Sequence, residues 1–328
     1  MSDLEQLKEG RVVERLVGHP PDYHVFPKFI ERCKALPAIT VAVVWPLSDV
    51  ALRGAVEAAI EGIIVPTLIG DEVAIKALAA KIGLDIAAYT ILHADTERKA
   101  AEQGVRMCHT GTAQALMKGS CHTDNLMKAA LKSDGGLRTS RRVSHVFVMD
   151  TAAYDRTLLI ADAVVNIEPE LEDKIHIVQN SIDLAHTLGI PNPKVAILSA
   201  IETVNPKIKS TTDAAALCKM ADRGQITGGI LDGPLSFDTA VSSKAAMIKG
   251  LVSPVAGQAD ILIVPDLISG NTLAKQLEYL GGAELAGIIV GARVPIILTS
   301  RADSAETRLA SCAVAALMHY AETPQVKS

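Results

Sequence analysis

The run from Val294 to Glu306 sets a hydroxyl and a guanidinium, Ser300 and Arg301, between an apolar segment and the start of a helix. Side by side these groups suit an anion, because the hydroxyl donates a hydrogen bond and the guanidinium offers a planar fork for carboxylate or phosphate oxygens. Pro295 to Leu298 is expected as a buried strand, and Asp303 with Glu306 as a capping box opening a helix from Ser304 to Met318. A helix start presents free N–H groups and a positive dipole end, and ligands of open α/β sheets gather at the carboxyl ends of strands. A phosphate group fits such a place.

Two further polar loops follow expected strands: Asp232-Gly233-Pro234-Leu235-Ser236-Phe237-Asp238 and Pro265-Asp266-Leu267-Ile268-Ser269-Gly270-Asn271. Gly233, Pro234, Asp238, Gly270 and Asn271 are the candidate substrate-binding residues there. Each also has a plain structural explanation, Gly233-Pro234 as a turn and Gly270-Asn271 as a helix start. Three such loops on one sheet edge would surround one cleft. Arg138, Arg141 and Arg142 form a basic cluster with Lys118 and Lys128 upstream, either a solvated surface or an attractor for a phosphorylated ligand. Neither a GxxxxGK[ST] phosphate loop, a GxGxxG fingerprint nor a GxSxG elbow occurs. Cys108-His109 and Cys121-His122 match no usual zinc spacing, so buried thiols and ordinary histidines are expected and no metal site.

The bulk properties narrow the field. At 328 residues the chain is long for one core, so two domains are expected. It is 49% hydrophobic but only 3% aromatic, which makes Ala, Val, Ile and Leu the core material, as in parallel sheets with covering helices. A net charge of -5 gives no broad basic surface for nucleic acid. The five cysteines are scattered and odd in number, which fits a reduced cytoplasm. No apolar run has the length of a membrane span, and the first residues do not read as a secretory signal.

Strands are expected at Ile39–Val44, Ile64–Ile69, Thr90–His93, Ala113–Met117, His145–Met149, Leu158–Val165, Lys194–Leu198, Gly228–Leu231, Ile261–Val264 and Ala286–Val290. Helices are expected from Ser48, over Glu72–Ile82, from Thr96 toward Cys108, and over Asp124–Lys132, Leu171–Leu188, Thr211–Ala221, Ser236–Lys249 and Asn271–Leu280. This alternation is that of doubly wound α/β sheets, with the polar stretch Ser133 to Arg142 as a candidate boundary.

At these loops the chain resembles the phosphate acetyl/butyryltransferases, which exchange an acyl group between coenzyme A and inorganic phosphate. The resemblance spans most of the chain. It rests on Leu116-Met117-Lys118-Gly119, Gly136-Leu137-Arg138-Thr139, His145-Val146-Phe147-Val148-Met149, Asp232 to Asp238, Pro265-Asp266-Leu267 with Gly270-Asn271, and Ser300-Arg301-Ala302-Asp303-Ser304. The Leu-Met-Lys-Gly and Ser-Arg-Ala-Asp-Ser segments are closer in style to the butyryl branch. The resemblance implies two doubly wound α/β domains like those of isocitrate and isopropylmalate dehydrogenases, with the active-site cleft between them. The first domain would be discontinuous, residues 1–140 plus 290–328, and the second 141–289. A cytoplasmic homodimer is implied, with coenzyme A as substrate, acyl-CoA, phosphate and acyl phosphate as partners, and no permanently bound cofactor.

It also implies roles. A thiolate attacks the acyl phosphate carbonyl, a tetrahedral oxyanion forms and phosphate departs, so fixed donors must meet charge on both oxygens. The serine position, Ser300, stabilises the transition state, and the arginine position, Arg301, holds the phosphoryl group. The acetyl-specific pattern puts an aspartate base seven residues after that serine; Thr307 stands there in this chain and cannot take a proton at neutral pH. Glu306 and Asp303 are the neighbouring candidate bases, each explained equally by helix capping. Two other readings remain open at this point: a metal- and NAD-dependent hydroxyacid dehydrogenase on the same fold, drawing on Asp232, Asp238 and Asp266, and a non-catalytic coenzyme A-binding relative.

Overall fold

The computed structural model describes residues 25–300 and 303–322. The chain is a mixed α/β protein, and it divides into two compact units. One comprises Lys28–His145, Thr187–Gly189 and residues from Ala286 onward; the other comprises residues 25–27, Val146–His186 and Ile190–Leu285. We call them the Ser300 unit and the Asp238 unit.

In chain order the elements begin with α1 (Val25–Lys34), β1 (Ile39–Val44), α2 (Asp49–Ile60), β2 (Ile64–Gly70), α3 (Glu72–Ile82), β3 (Thr90–His93), α4 (Glu97–His109), β4 (Ala115–Lys118) and α5 (Thr123–Ala130). The middle of the chain contributes β5 (Ser144–Asp150), β6 (Leu158–Ala161), α6 (Leu171–Leu188), β7 (Lys194–Leu198), α7 (Lys209–Asp222), β8 (Ile230–Leu235), α8 (Phe237–Val241), α9 (Ser243–Ile248), β9 (Ile261–Ile263) and α10 (Leu267–Tyr279). The last elements are β10 (Glu284–Val290), β11 (Ile296–Ile297) and α11 (Ala305–Glu322).

In the Ser300 unit the strand order is β3-β2-β1-β4-β11-β10, parallel except where β10 meets β11. β1 reads Ile-Thr-Val-Ala-Val-Val and is buried on both faces apart from Thr40, the pattern of a strand covered on both sides. Side-chain caps set several helix starts: Ser48 Oγ accepts from Ala51 N at 3.3 Å, Asp71 Oδ1 from Ala74 N at 2.9 Å and Thr96 Oγ1 from Lys99 N at 3.3 Å. In the Asp238 unit the order is β5-β6-β9-β7-β8, again parallel except for β5 against β6. Its core is aliphatic, centred on Met149, Ile160, Ala196, Leu262 and Leu285.

Four local expectations are corrected. β8 runs to Leu235, so Gly233 and Pro234 belong to the strand rather than to a loop after it. Proline is tolerated there because β8 lies at the end of the strand order, where a missing N–H breaks no ladder, and the register slips opposite it between Ala196 and Leu198. The helix expected over Ser236–Lys249 is broken at Ser242, whose extended backbone ends α8 while its hydroxyl caps α9 by accepting from Ala245 N at 3.2 Å. α10 begins before Gly270, because Asp266 Oδ1 accepts from Ser269 N at 2.8 Å and caps it. Finally, α11 is capped by Ser304, whose Oγ accepts from Thr307 N at 3.2 Å, in place of the Asp303–Glu306 box.

Candidate active site

Because β1, β4 and β11 are parallel, their carboxyl ends lie on one edge of the Ser300 unit, and they deliver Trp45, Gly119-Ser120 and Thr299-Ser300 there. Trp45 holds a left-handed backbone with φ 57°, and its carbonyl accepts from both Ser120 N at 2.8 Å and Ser120 Oγ at 2.9 Å. A side chain on Gly119 would stand 2.5 Å from the carbonyl oxygens of Val44 and Trp45, so this crossing requires glycine.

Ser300 is exposed while its backbone is gripped from below. Its N–H donates to Asp303 Oδ2 at 2.6 Å, and its carbonyl accepts from Arg308 Nη2 at 2.9 Å. Arg308 Nη1 donates to Thr299 Oγ1 at 2.6 Å and to the Lys118 carbonyl at 3.4 Å. Arg308 is 0% exposed and Asp303 1%. Burial lowers the Arg308 pKa from its ordinary value, and the nearby Asp303 charge works the other way. Asp303 is thus part of the turn that carries Ser300. Glu306 is exposed, and its carboxyl is held below the usual range first by its own backbone N–H and then by Ser304. Arg301 lies outside the described residues. Lys118 is buried, with Nζ donating to the Gly119 carbonyl at 3.3 Å, whereas Arg138 is exposed.

The Asp238 unit presents a different edge, at the carboxyl ends of β6, β9, β7 and β8. Ser236 Oγ donates to Glu202 and sits 2.5 Å from Asp238 Oδ1, while Lys249 Nζ reaches Glu202 Oε1 at 2.9 Å and Asp238 Oδ2 at 3.1 Å. Hydrogen bonds from Ser236 and then Lys249 hold the Glu202 and Asp238 carboxyls below their usual range. Asn271 Nδ2 donates to the Ala163 carbonyl at 3.3 Å. For two glycines packing accounts for the residue type: a Cβ on Gly233 would meet the Ile197 carbonyl oxygen at 2.7 Å, and one on Gly270 the Asp162 carbonyl oxygen at 2.8 Å. Nearby, a cavity of about 340 Å³ is lined by residues including Glu170, Lys174, Lys209 and Asp266.

Among the described residues no three His, Cys, Asp or Glu side chains form a group that could hold a metal ion, so Asp232, Asp238 and Asp266 do not assemble the carboxylate cluster a metal-dependent dehydrogenase needs. None of the five cysteines is in a disulfide, and burial pushes the Cys108 and Cys312 thiols up to about 12, away from the thiolate form at neutral pH. No described helix is long and apolar enough to cross a membrane. Sequence reasoning missed Arg308, Trp45 and Glu202. An arginine followed by Leu309-Ala310-Ser311-Cys312-Ala313-Val314, and the only tryptophan of the chain, were the available signals.

Residues 94–316, which include Ser300, Arg308 and Asp238 but not Trp45, match the family model described as phosphate acetyl/butaryl transferase. The chain belongs to that family. It is 56% identical over 281 residues to a phosphate acetyltransferase of Rhizobium meliloti, covering 86% of this chain and 89% of that protein. It is 43% identical over 293 residues to a phosphate butyryltransferase of Clostridium acetobutylicum, covering 89% and 97% respectively. The crystal structure of a branched-chain phosphotransacylase from Enterococcus faecalis V583 matches with a TM-score of 0.76 at 34% identity, over 86% of this chain and 99% of that one. Membership makes the chain an acyltransferase and removes the dehydrogenase reading.

Proposed function

We propose that the protein moves a short acyl group, acetyl or butyryl, reversibly between coenzyme A and inorganic phosphate, with Ser300 as the group that meets charge on the reacting oxygens. The observation that carries this role is the exposed Ser300 on a backbone clamped by Asp303 and Arg308, within the stretch that matches the family. The coenzyme A thiolate attacks the acyl carbonyl, and electrons move to the carbonyl oxygen. Collapse of the tetrahedral oxyanion expels phosphate. A hydroxyl held in advance costs no reorganisation as that charge forms, which is where such donors lower a barrier most.

In this reading Arg301 holds the phosphoryl group. Arg138, exposed, draws in the phosphorylated substrate, and Asp238 and Asn271 bind it. Gly233, Pro234, Gly270 and Lys118 serve by shaping the backbone, in keeping with their packing. Glu306 is the better placed of the two candidate bases, since it is exposed and Asp303 is taken up by the Ser300 N–H. We extend the proposal to the isocitrate and isopropylmalate dehydrogenase type of fold, built from two doubly wound domains, and to a cytoplasmic homodimer without a resident cofactor.

The test is acyl-CoA formation from acetyl phosphate and from butyryl phosphate, with wild-type protein and Ser300→Ala. Wild type is expected to form thioester with at least one donor. The variant should lose about 10²-fold or more in kcat, the scale for removing one oxyanion donor. Coenzyme A binding without thioester from either donor would support the non-catalytic relative instead.

A further inference from the structure

Arg308 is the largest side chain that the fold buries completely, and charged residues are almost never buried to this degree unless they are tied to partners. A leucine in its place would fill the same core more cheaply. The three oxygens it reaches are neutral, and they come from the two segments that end at the active-site edge: the Lys118 carbonyl closing β4, and the Thr299 hydroxyl and Ser300 carbonyl following β11. Arg308 Nε, also buried, has no hydrogen-bond partner among the described residues, so burial of this group is not fully compensated. α2 makes room for it. A Cβ on Gly54 would stand 2.7 Å from Arg308 Cδ and 2.8 Å from Arg308 Cβ.

We infer that Arg308 is a positioning residue for acyl transfer: its planar fork fixes the Thr299-Ser300 backbone against the end of β4 and so sets where the Ser300 hydroxyl stands. The inference rests on the reading of Ser300 given above. Asp303 fixes the N–H side of Ser300 and Arg308 the carbonyl side, which leaves the backbone of this residue little freedom to swing. Displacement of a catalytic group by about 1 Å costs on the order of 10²-fold in rate, so a guanidinium that never touches substrate can still matter to kcat. Lysine would keep the charge but lose the fork, since an ammonium acts as a point charge.

The experiment compares kcat and KM of wild type, Ser300→Ala, Arg308→Lys, Thr299→Val and the doubles Ser300→Ala/Arg308→Lys and Ser300→Ala/Thr299→Val, each per folded molecule as judged by circular dichroism. Arg308→Lys is expected to lower kcat about tenfold or more with both KM values within about twofold of wild type, the signature of an interaction realised in the transition state. Thr299→Val, which removes the shortest acceptor of the guanidinium without emptying the core, should do the same to a smaller extent. Because Arg308 acts through Ser300, each double should be no more than about twofold slower than Ser300→Ala alone. A structural role would instead lower the melting temperature and leave kcat per folded molecule unchanged in Arg308→Lys, and that result overturns the inference. Should Arg308→Lys not fold, unchanged kcat in Thr299→Val overturns it equally. If Ser300→Ala itself is fully active, the reading of Ser300 falls first; if Ser300→Ala is slow and the other singles are not, only the positioning role falls.

Discussion

Of the buried cations among the described residues, Lys174 in one unit and Arg308 in the other are treated by the fold in opposite ways. In the Asp238 unit, Lys174 is nearly inaccessible, and its Nζ meets Asp213 Oδ2 at 2.8 Å. The same oxygen takes Lys209 at 2.7 Å, which in turn reaches Glu170 at 3.1 Å. Here charge is answered by charge. In the Ser300 unit, Arg308 spends its hydrogen bonds on a hydroxyl and two carbonyls, and the Asp303 carboxylate offsets its burial through space. The first arrangement secures an interior; the second secures the path of a backbone that carries an exposed serine. A buried charge whose bonds go to the neutral oxygens of a turn holds geometry, and geometry is what the role proposed for the Ser300 hydroxyl needs.

The largest effect on stability should come from breaking the compensated pair. Lys174→Met leaves Asp213 buried with only the half-exposed Lys209, and removing one partner of a buried pair costs about 3 kcal/mol at the low end of the usual range. Urea unfolding measures it. Burial on its own would push the Asp213 carboxyl up, but the bonds from Lys174 and Lys209 outweigh it and hold it below its ordinary 3.8. Its contribution is therefore present above pH 3.8 and is lost as pH falls through the depressed value, so Lys174→Met should also begin to unfold at a higher pH than wild type. An unchanged urea midpoint would mean that the pairing is as dispensable as the solvated bridges elsewhere on the surface.

The next effect sharpens the other side of the comparison. Gly54→Ala puts a methyl against the stem of Arg308, where neither helix backbone can yield easily, and overpacking of this kind costs about 1–3 kcal/mol. Unlike Lys174→Met, it should also depress kcat at temperatures well below its melting point, because the displaced guanidinium draws the Ser300 carbonyl with it. Loss of stability with full kcat would show that the clamp tolerates movement.

These contrasts explain what was legible in the sequence. The bounds of α3, β3, α6 and β7 are those that periodicity and caps predict, since an amphipathic stripe ending at Gly83 or a run such as Lys194 to Leu198 carries its own limits. The position of Ser300 was legible as well, as an exposed polar residue following an apolar strand. What failed was local: Gly233 and Pro234 read as a loop because an end strand accepts residues that a central one refuses, and Gly270 read as a helix start because the Asp266 cap lies upstream. Arg308 was not legible. On a helical pattern an arginine marks a solvent face, and only the hole left by Gly54 in another helix makes it a core residue.

The smallest effect concerns the same pair of helices, α2 and α11, and it has the opposite sign to that of Asp213. Burial pushes the Glu57 carboxyl above its ordinary 4.5, and repulsion from Glu306 adds to the rise, while Arg53 opposes it. A raised folded-state value means that the favourable contribution is complete below pH 4.5 and is lost as pH climbs through the raised value. At neutral pH, then, ionised Glu57 weakens the fold. Glu57→Gln should raise the melting temperature at pH 7, and the gain should shrink to nothing at a pH below 4.5, where wild type is already protonated. Added salt to about 1 M should shrink only the part owed to Glu306, since screening acts on the repulsion and not on desolvation. Should Glu57→Gln melt with wild type at pH 7, the Glu57–Glu306 repulsion would carry no weight in the α2–α11 contact, and Gly54→Ala would be the lever that acts on Ser300 from that side.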